Sequence, residues 1–237
     1  MAGLDTTNLI QNVYESAYDK VGWKPNFWMR YFSPCPDTSF SVGPTNECIA
    51  AWKSGGSHIG PVTSPPQGRL SGTSAEGIAN AETFCLAISQ AYLSVGPLDL
   101  PTNGVLFTFL DLEPSYNLSV PYWNGWATYV GEYYLGEGEP FWPSLYCNPV
   151  AITKNCSIID SSKVTFGCSA VWSSTYEPCT TSDSPTWDGT SCSFPSTYLW
   201  QYAESSCWGG PHPNVDLDEG APGVYYADYC FYLSKEP

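Results

Sequence analysis

The chain has 237 residues, 43% of them hydrophobic, which is enough for the core of one large domain. Its formal net charge is −15, from 8 Lys and Arg against 23 Asp and Glu. Such a surface repels nucleic acids and anionic membranes, so the composition argues against both as partners.

Strand-like and helical segments alternate from the first residues onward. The patterns predict strands at residues 2–7, 26–34, 58–65, 105–116, 140–149, 164–175, 197–204 and 214–220. They predict helices at residues 9–22, 46–56, 74–96 and 119–138. Thr73 or Ser74 is the expected N-cap of the third helix.

Alternation of this kind is typical of parallel strands joined by right-handed crossovers, and eight strands favour a closed barrel. The sequence therefore predicts a single α/β domain over residues 1–237. We expect a (β/α)8-like TIM barrel whose helices are weaker or missing in the second half.

Ten cysteines are spread along the chain, six of them between Cys147 and Cys207. None forms a CxxC pair and only two histidines accompany them, so a structural metal site is disfavoured. An even set of cysteines favours up to five disulfides and an oxidising compartment. We therefore expect a secreted, disulfide-stabilised protein whose export signal preceded Met1 and was removed. A Cys-rich loop excursion is expected at about residues 173–195.

The fourth predicted strand, VLFTFLDLEPSY at residues 105–116, is apolar on both faces. This pattern is typical of a strand buried on both sides, as in a parallel sheet covered by helices. The strand ends with Asp111 and Glu113, which alternation places on the same face. On an arbitrary strand such a pair is most often a solvated rim. At the C-terminal end of a barrel strand, an active site is an equally good interpretation.

The other predicted strand ends carry acids and aromatic side chains as well. In a barrel they would share one rim: Asp5, Arg30, Tyr31, Tyr146, Trp172, Trp200, Gln201, Tyr202, Asp216 and Asp218. Glycosidic bond cleavage requires one protonated and one ionised carboxyl group. Aromatic rings provide flat surfaces for sugars, and amides bind their polar groups. The set predicts a polysaccharide site.

Several of these residues also have a purely structural interpretation. Asp5 fits as the N-cap of the following helix, and Asp216 fits as a surface acid. Trp200 and Tyr202 are, as residue types, more often packed in a core than exposed to a ligand. No GxSxG, GxGxxG or P-loop motif is present, which disfavours a serine hydrolase and nucleotide cofactors. We expect neither a cofactor nor a metal.

Short motifs occur here in the order typical of one enzyme family. GxD at Gly3–Asp5 lies on the first strand, DxE at Asp111–Glu113 closes the fourth, WQY at Trp200–Tyr202 lies on the seventh and VDL at Val215–Leu217 on the eighth. In this the chain resembles glycoside hydrolase family 25, the barrel-type lysozymes. RYF at Arg30–Phe32 also resembles the related glycoside-hydrolase-like domain of unknown function. The resemblance spans nearly the whole chain.

The resemblance implies retaining, acetamido-assisted cleavage of the β-1,4 bond between N-acetylmuramic acid and N-acetylglucosamine in peptidoglycan. Glu113 would be the general acid, and Asp111 would orient the acetamido group or stabilise the oxazolinium-like intermediate. Asp5 and Asp216 would complete the acidic floor. The groove would be lined by Tyr31, Tyr146, Trp172, Trp200, Gln201 and Tyr202.

Two features favour alternatives within this interpretation. The charge of −15 suits a neutral glycan such as chitin or cellulose better than an anionic cell wall, although the DxxDxDxE motif of chitinases is absent. The Cys-rich excursion from Ser173 to Pro195 has no counterpart in the family, and we expect it to border the rim. A non-catalytic carbohydrate-binding barrel and a structural domain of a secreted assembly are the other hypotheses. For the enzyme we expect a monomer acting on a polysaccharide.

Overall fold

The computed structural model describes residues 2–6, 10–32, 49–51, 53, 57–94, 105–134, 141–147, 158–159, 167–174, 180–182, 185–187, 197–204, 215–225 and 230. The strands are β1 Ala2–Thr6, β2 Phe27–Tyr31, β3 His58–Thr63, β4 Leu106–Leu112, β5 Phe141–Cys147, β6 Val171–Ser174, β7 Thr197–Ala203 and β8 Val215–Gly220. The helices are α1 Ile10–Val21, α2 Ser74–Ser94 and α3 Val120–Gly131, with a short 3-10 helix at Gln67–Arg69.

The eight strands form a closed barrel in the order β1 to β8, which confirms the predicted barrel. From β1 to β7, each strand is parallel to the next. Strand β8 is antiparallel to both β7 and β1, so the prediction of an all-parallel barrel is wrong for this strand. Only residues 204–214 join β7 to β8, and a parallel connection needs a crossover of about a dozen residues or more.

Helices α1, α2 and α3 follow β1, β3 and β4. Of the predicted helix at residues 46–56, the described residues 49–51 are helical and the rest lies largely outside the described ranges. Regular strand-helix alternation is therefore seen in the first half of the barrel only, as far as the structure describes it. No helix in the described ranges is long and apolar enough to cross a membrane.

Helix α2 begins with a capping box. The Thr73 N–H donates to Glu76 Oε2 (2.8 Å), and the Glu76 N–H donates to Thr73 Oγ1 (3.3 Å). These bonds confirm Thr73 as one of the two expected N-caps. Helix α3 packs closely on the start of α2, because a Cβ on Gly125 would lie 2.1 Å from the Ser74 carbonyl oxygen.

Alternation of side chains along the strands divides the apolar residues into an outer core, beneath the helices, and an inner core within the barrel. Strand β4 contributes Leu106, Leu110 and Leu112 to the outer core and Phe107 and Phe109 to the inner core. Its seven residues are all buried, which confirms a strand buried on both faces. The next inward position on β4 is that of Asp111, so the inner core leads directly to the acids.

The glycine of the GxD motif is required by packing inside the barrel. A Cβ on Gly3 would lie 2.1 Å from the ring of Phe27, a fully buried residue of the inner core. Two residues further along the same face of β1 lies Asp5. Gly3 therefore makes room for the aromatic layer on which the acids rest.

Four cysteines lie in the described part of the chain, and all four are buried: Cys85, Cys147, Cys168 and Cys230. No disulfide joins two of these described cysteines, which pack in the two cores as small hydrophobic side chains, so the expectation of up to five disulfides is not shown for them. The other six cysteines lie outside the described residues, and their pairing stays a prediction.

The described parts of the Cys-rich excursion, residues 180–182 and 185–187, lie against the outside of the barrel wall. The Trp23 indole donates to the Thr181 carbonyl (3.0 Å), and the Trp187 ring makes an edge-to-face contact with Trp200 (5.6 Å between centroids). Strands β7 and β8 have no helix over them among the described elements. This segment covers part of that wall, whereas the sequence predicted that it borders the rim. The rest of the excursion lies outside the described residues.

Candidate active site

The predicted catalytic acids lie at one end of the barrel, where β1 and β4 end and β8 begins. Asp5 pairs with Asp216 across the β1–β8 ladder. Because β8 is antiparallel to its neighbours, its first residues reach this rim, and Asp218 lies one step deeper, opposite Gly3. Asp5, Asp111 and Asp218 are almost completely buried. Asp216 is half-buried and Glu113 is exposed.

The electrostatic environment of Tyr31 indicates that four of these acids lie within range of one side chain. The pKa of the Tyr31 phenol is raised well above its ordinary value, first by burial and then by the negative charges of Asp111, Asp5, Glu113 and Asp216. Coulomb interactions fall with distance and are screened by water, so all four carboxyl groups lie near this hydroxyl. The structure thus brings together the four acids named from the sequence.

Gln201 joins the acids of β1 and β8. Its amide Nε2 donates to Asp5 Oδ2 (2.5 Å) and to Asp216 Oδ2 (3.2 Å), and its Oε1 accepts from the Tyr146 hydroxyl (2.9 Å). Both amide hydrogens are thereby used on carboxyl oxygens. The bonds fix the relative positions of the two acids, so Gln201 belongs to the floor of the site.

Burial raises the pKa of Asp5 well above its ordinary value, and repulsion from Asp216 raises it further. The Gln201 hydrogen bond and the charge of Arg30 act in the opposite direction. The pKa of Asp218 is also raised, first by burial and then by the charges of Asp5 and Asp216. This side of the rim therefore holds protons that ordinary carboxyl groups would release.

On β4, burial and the neighbouring charge of Glu113 raise the pKa of Asp111 from 3.8 to about 8, although a hydrogen bond with Ser64 lowers it. Partial desolvation raises the pKa of Glu113 as well. The pair thus retains a proton near neutral pH. Of its two members, Glu113 is the exposed one.

The aromatic residues predicted to line a groove divide into two groups. Tyr31 is half-buried beside the acids, whereas Tyr146 and Trp172 belong to the inner core beneath them. The Tyr146 and Trp172 rings lie 4.4 Å apart between centroids, and the Trp172 indole donates to Asp218 Oδ1 (2.9 Å). These two rings support the acids from below. Among the three, Tyr31 offers exposed surface to a ligand.

Trp200 and Tyr202 lie elsewhere than the sequence analysis placed them. Both are fully buried in the outer core, and the Tyr202 hydroxyl donates to the Ser182 carbonyl (2.5 Å) outside the wall. The reason is strand alternation: if Gln201 points into the barrel, its two neighbours point out. The prediction that these two rings line the groove is therefore wrong, because they lie in the outer core.

Three residues that the structure places at or beneath the site had no assigned role in the sequence analysis, which named Asp218 and Arg30 only as strand-end residues and did not name Gln67. Asp218 had a signal, since it lies two residues after Asp216 and hence on the same face of β8. Arg30 is fully buried on β2, donates to the Thr6 carbonyl and lowers the pKa of Asp5. Gln67 donates to the Asp111 carbonyl and accepts from the Glu113 N–H, which no local pattern indicated. Within the described ranges, no group of three or more His, Cys, Asp or Glu is arranged to hold a metal ion.

No family model and no curated protein matches the chain. Solved structures do match it over almost its full length. An uncharacterized B. stearothermophilus protein superposes with a TM-score of 0.70 at 17% identity, covering 97% of this chain and 99% of that one.

Two other matches are described as an endolysin and a glycosyl hydrolase. The catalytic domain of the endolysin Ply40 from bacteriophage P40 of Listeria monocytogenes gives a TM-score of 0.61 at 16% identity, covering 97% and 98% of the two chains. GHIP, a glycosyl hydrolase 25 of Streptococcus pneumoniae, gives 0.57 at 13% identity, covering 96% and 90%. The chain therefore has the fold of the family 25 glycoside hydrolases, which confirms at the level of the fold the resemblance that the motifs indicated.

Proposed function

We propose that this protein is a secreted glycoside hydrolase that cleaves a β-1,4-linked polysaccharide containing N-acetylhexosamine, in the manner of a lysozyme. One observation carries the proposal: Asp5, Asp111, Glu113 and Asp216 lie at the same end of the barrel and all raise the pKa of Tyr31. Support comes from the fold, which is that of an endolysin catalytic domain and a glycosyl hydrolase 25.

The reaction begins with proton transfer from the Asp111–Glu113 pair. Glu113, the exposed member, protonates the leaving glycosidic oxygen as the bond to the anomeric carbon breaks. The carbonyl oxygen of the substrate's acetamido group attacks that carbon and forms an oxazolinium ion. Glu113, now ionised, removes a proton from water as the water opens the ring, which restores the acid and retains the anomeric configuration.

Asp111 has a complementary role in this scheme. The acetamido N–H of a bound sugar donates to its carboxylate, and such a hydrogen bond favours the ionised form. Substrate binding therefore moves the shared proton toward Glu113, where it is needed. The negative charge left on Asp111 stabilises the oxazolinium ion.

The net charge of −15 bears on the choice of glycan. It disfavours approach to an anionic cell wall at low ionic strength and favours a neutral N-acetylated polymer such as chitin. Peptidoglycan and chitin share the acetamido group that the scheme requires. We place peptidoglycan first because of the fold, and chitin second because of the charge.

The test is a comparison of insoluble peptidoglycan, chitin and cellulose, with bound protein and new reducing ends measured in parallel. We expect reducing ends from an N-acetylated glycan, none after chemical removal of its acetyl groups, and retained configuration by NMR of the first product. Glu113→Gln should lower turnover by about 10²- to 10⁴-fold while binding persists, because it removes the general acid.

Glu82→Gln is the matched control, since Glu82 is an exposed acid on α2 and its loss should leave turnover unchanged. Full turnover by Glu113→Gln would contradict the assigned acid. Binding without release of reducing ends would instead identify a carbohydrate-binding barrel.

A further inference from the structure

The main-chain ladder between β3 and β4 ends before the acids. Val62 pairs with Phe109 and Thr63 pairs with Leu110, so a continued ladder would place position 65 opposite Leu112. Residues 65 and 66 are both proline and have no N–H to donate. On the β3 side, the end of β4 therefore lacks a main-chain donor just where its carboxyl groups project.

The side chain of Gln67 occupies the missing place. Its Nε2 donates to the Asp111 carbonyl (3.0 Å), and its Oε1 accepts from the Glu113 N–H (3.0 Å). In a parallel ladder, one residue donates to the carbonyl before its partner and accepts from the N–H after it. The Gln67 carboxamide makes this pair of bonds around Leu112, and thus acts as a further residue of the β3 strand.

The turn that carries Gln67 is itself held by main-chain bonds. The Arg69 N–H donates to the Pro66 carbonyl (2.8 Å), and the Leu70 N–H donates to the Gln67 carbonyl (3.1 Å). Only a carboxamide supplies one donor and one acceptor in a plane. A glutamate at this position would lose the donor, and a methionine of similar length would lose both groups.

We propose that Gln67 is a positioning residue that sets the separation of the Asp111 and Glu113 carboxyl groups by holding the main chain from which both project. The expected effect on turnover rests on the proposed function, whereas the effect on the separation of the two carboxyl groups does not. Gln67 acts through the main chain of β4, because its bonds are to backbone atoms of the two acidic residues. It is thus distinct from the acids themselves.

The test replaces Gln67 with Met and follows the carboxyl groups directly. In ¹³C-detected NMR titrations we expect the pKa of Asp111 to move from about 8 toward 3.8. Release of the strand end lets Glu113 move away and water approach Asp111, and both changes favour the carboxylate. Tyr31 and Asp5 interact electrostatically with Asp111, so their resonances should be followed in the same titration.

In an active enzyme, kcat of Gln67→Met should fall by about 10²-fold, because a misplacement of about 1 Å has this effect on a reacting group. The KM should stay within about threefold of the wild-type value. The pH optimum should shift with the altered pair. Gln67→Glu keeps the shape but loses the donor to the Asp111 carbonyl and adds a negative charge beside the pair, so kcat should fall likewise while the pKa of Asp111 should not fall toward 3.8.

Asn80→Leu provides the matched control. Asn80 is also a carboxamide, and it donates to the Tyr122 hydroxyl between α2 and α3 (2.8 Å), away from β4. This variant should lower the melting temperature but leave the pKa of Asp111 and the pH optimum unchanged.

Three outcomes would overturn the inference. One is an unchanged pKa of Asp111 in Gln67→Met, and another is unchanged turnover despite a shifted pKa. The third is the same shift in Asn80→Leu. If the wild-type protein cleaves no glycan, the proposed function fails, and the titration alone then decides whether Gln67 sets the geometry of the pair.

Discussion

The acids at the rim form two groups that are held in different ways. On the β1–β8 side, Asp5 and Asp216 share the Gln201 amide, and Asp218 accepts from the Trp172 indole. On the β4 side, Asp111 and Glu113 are held through their main chain by Gln67. The acids of the first group are held by hydrogen bonds to their carboxyl oxygens. In the second group, the Glu113 side chain stays exposed.

This difference separates two tasks that carboxyl groups perform in one site. Hydrogen bonds from Gln201 and Trp172 occupy oxygens of the β1–β8 group, so these acids define the shape and charge of the floor. The β4 group has a proton to exchange and a member that a substrate can reach. We therefore expect the two groups to respond differently to substitution. Changes in the floor should alter stability and glycan binding, whereas changes in the β4 pair should alter turnover and its pH dependence.

The largest effect on stability should come from pH. The pKa of Asp111 is raised from 3.8 to about 8, so the folded state favours its protonated form. Its contribution to stability is fully present below about pH 3.8 and is lost as the pH rises through about 8. Asp5 and Asp218, whose pKa values are also raised, act in the same direction.

Thermal melting from pH 5 to pH 9 should therefore show a falling midpoint, with a loss of a few kcal/mol at about 1.4 kcal/mol per pKa unit. Asp111→Asn should flatten that dependence, whereas Glu82→Gln should not. A midpoint that rises with pH over this range would contradict the raised pKa values.

A smaller loss of stability is expected from Gln201→Met. This change removes the donor to Asp5 and Asp216 and the acceptor of the Tyr146 hydroxyl, which leaves buried polar groups unsatisfied at a cost of about 1–3 kcal/mol. Urea unfolding followed by tryptophan fluorescence measures it. The pKa of Asp5 should rise further, because the Gln201 hydrogen bond lowers it. An unchanged urea midpoint would show that the bridge does not hold the floor.

The smallest effect is expected on the outside of the wall. Tyr202→Phe loses the hydrogen bond to the Ser182 carbonyl, which should lower the free energy of unfolding by about 0.5–1.5 kcal/mol. Glycan binding and turnover should not change, because the Tyr202 ring is buried in the outer core. Tyr31→Phe is the comparison, since Tyr31 faces the acids. If Tyr202→Phe weakened glycan binding more than Tyr31→Phe did, the inward and outward assignment of β7 would be wrong.

Much of the barrel was predictable because its signals are local. The two apolar faces of residues 105–112 indicated a strand buried on both sides, and that strand is found. The alternation that places Asp111 with Phe107 and Phe109 is a property of any extended chain. The same rule, applied to residues 200–202, would have separated Gln201 from its aromatic neighbours; the WQY motif was instead interpreted as one surface.

By itself, the sequence determined the strands, the shared face of Asp111 and Glu113, and the motif order that indicates the family 25 fold. Only the tertiary structure decided the direction of β8, which brings Asp216 to the rim and Asp218 beneath it. The tertiary structure alone also placed Gln67 beside Asp111 and Glu113, which lie far along the chain. The physical reason is that alternation acts between adjacent residues, whereas strand direction and side-chain bridges depend on pairing between distant ones.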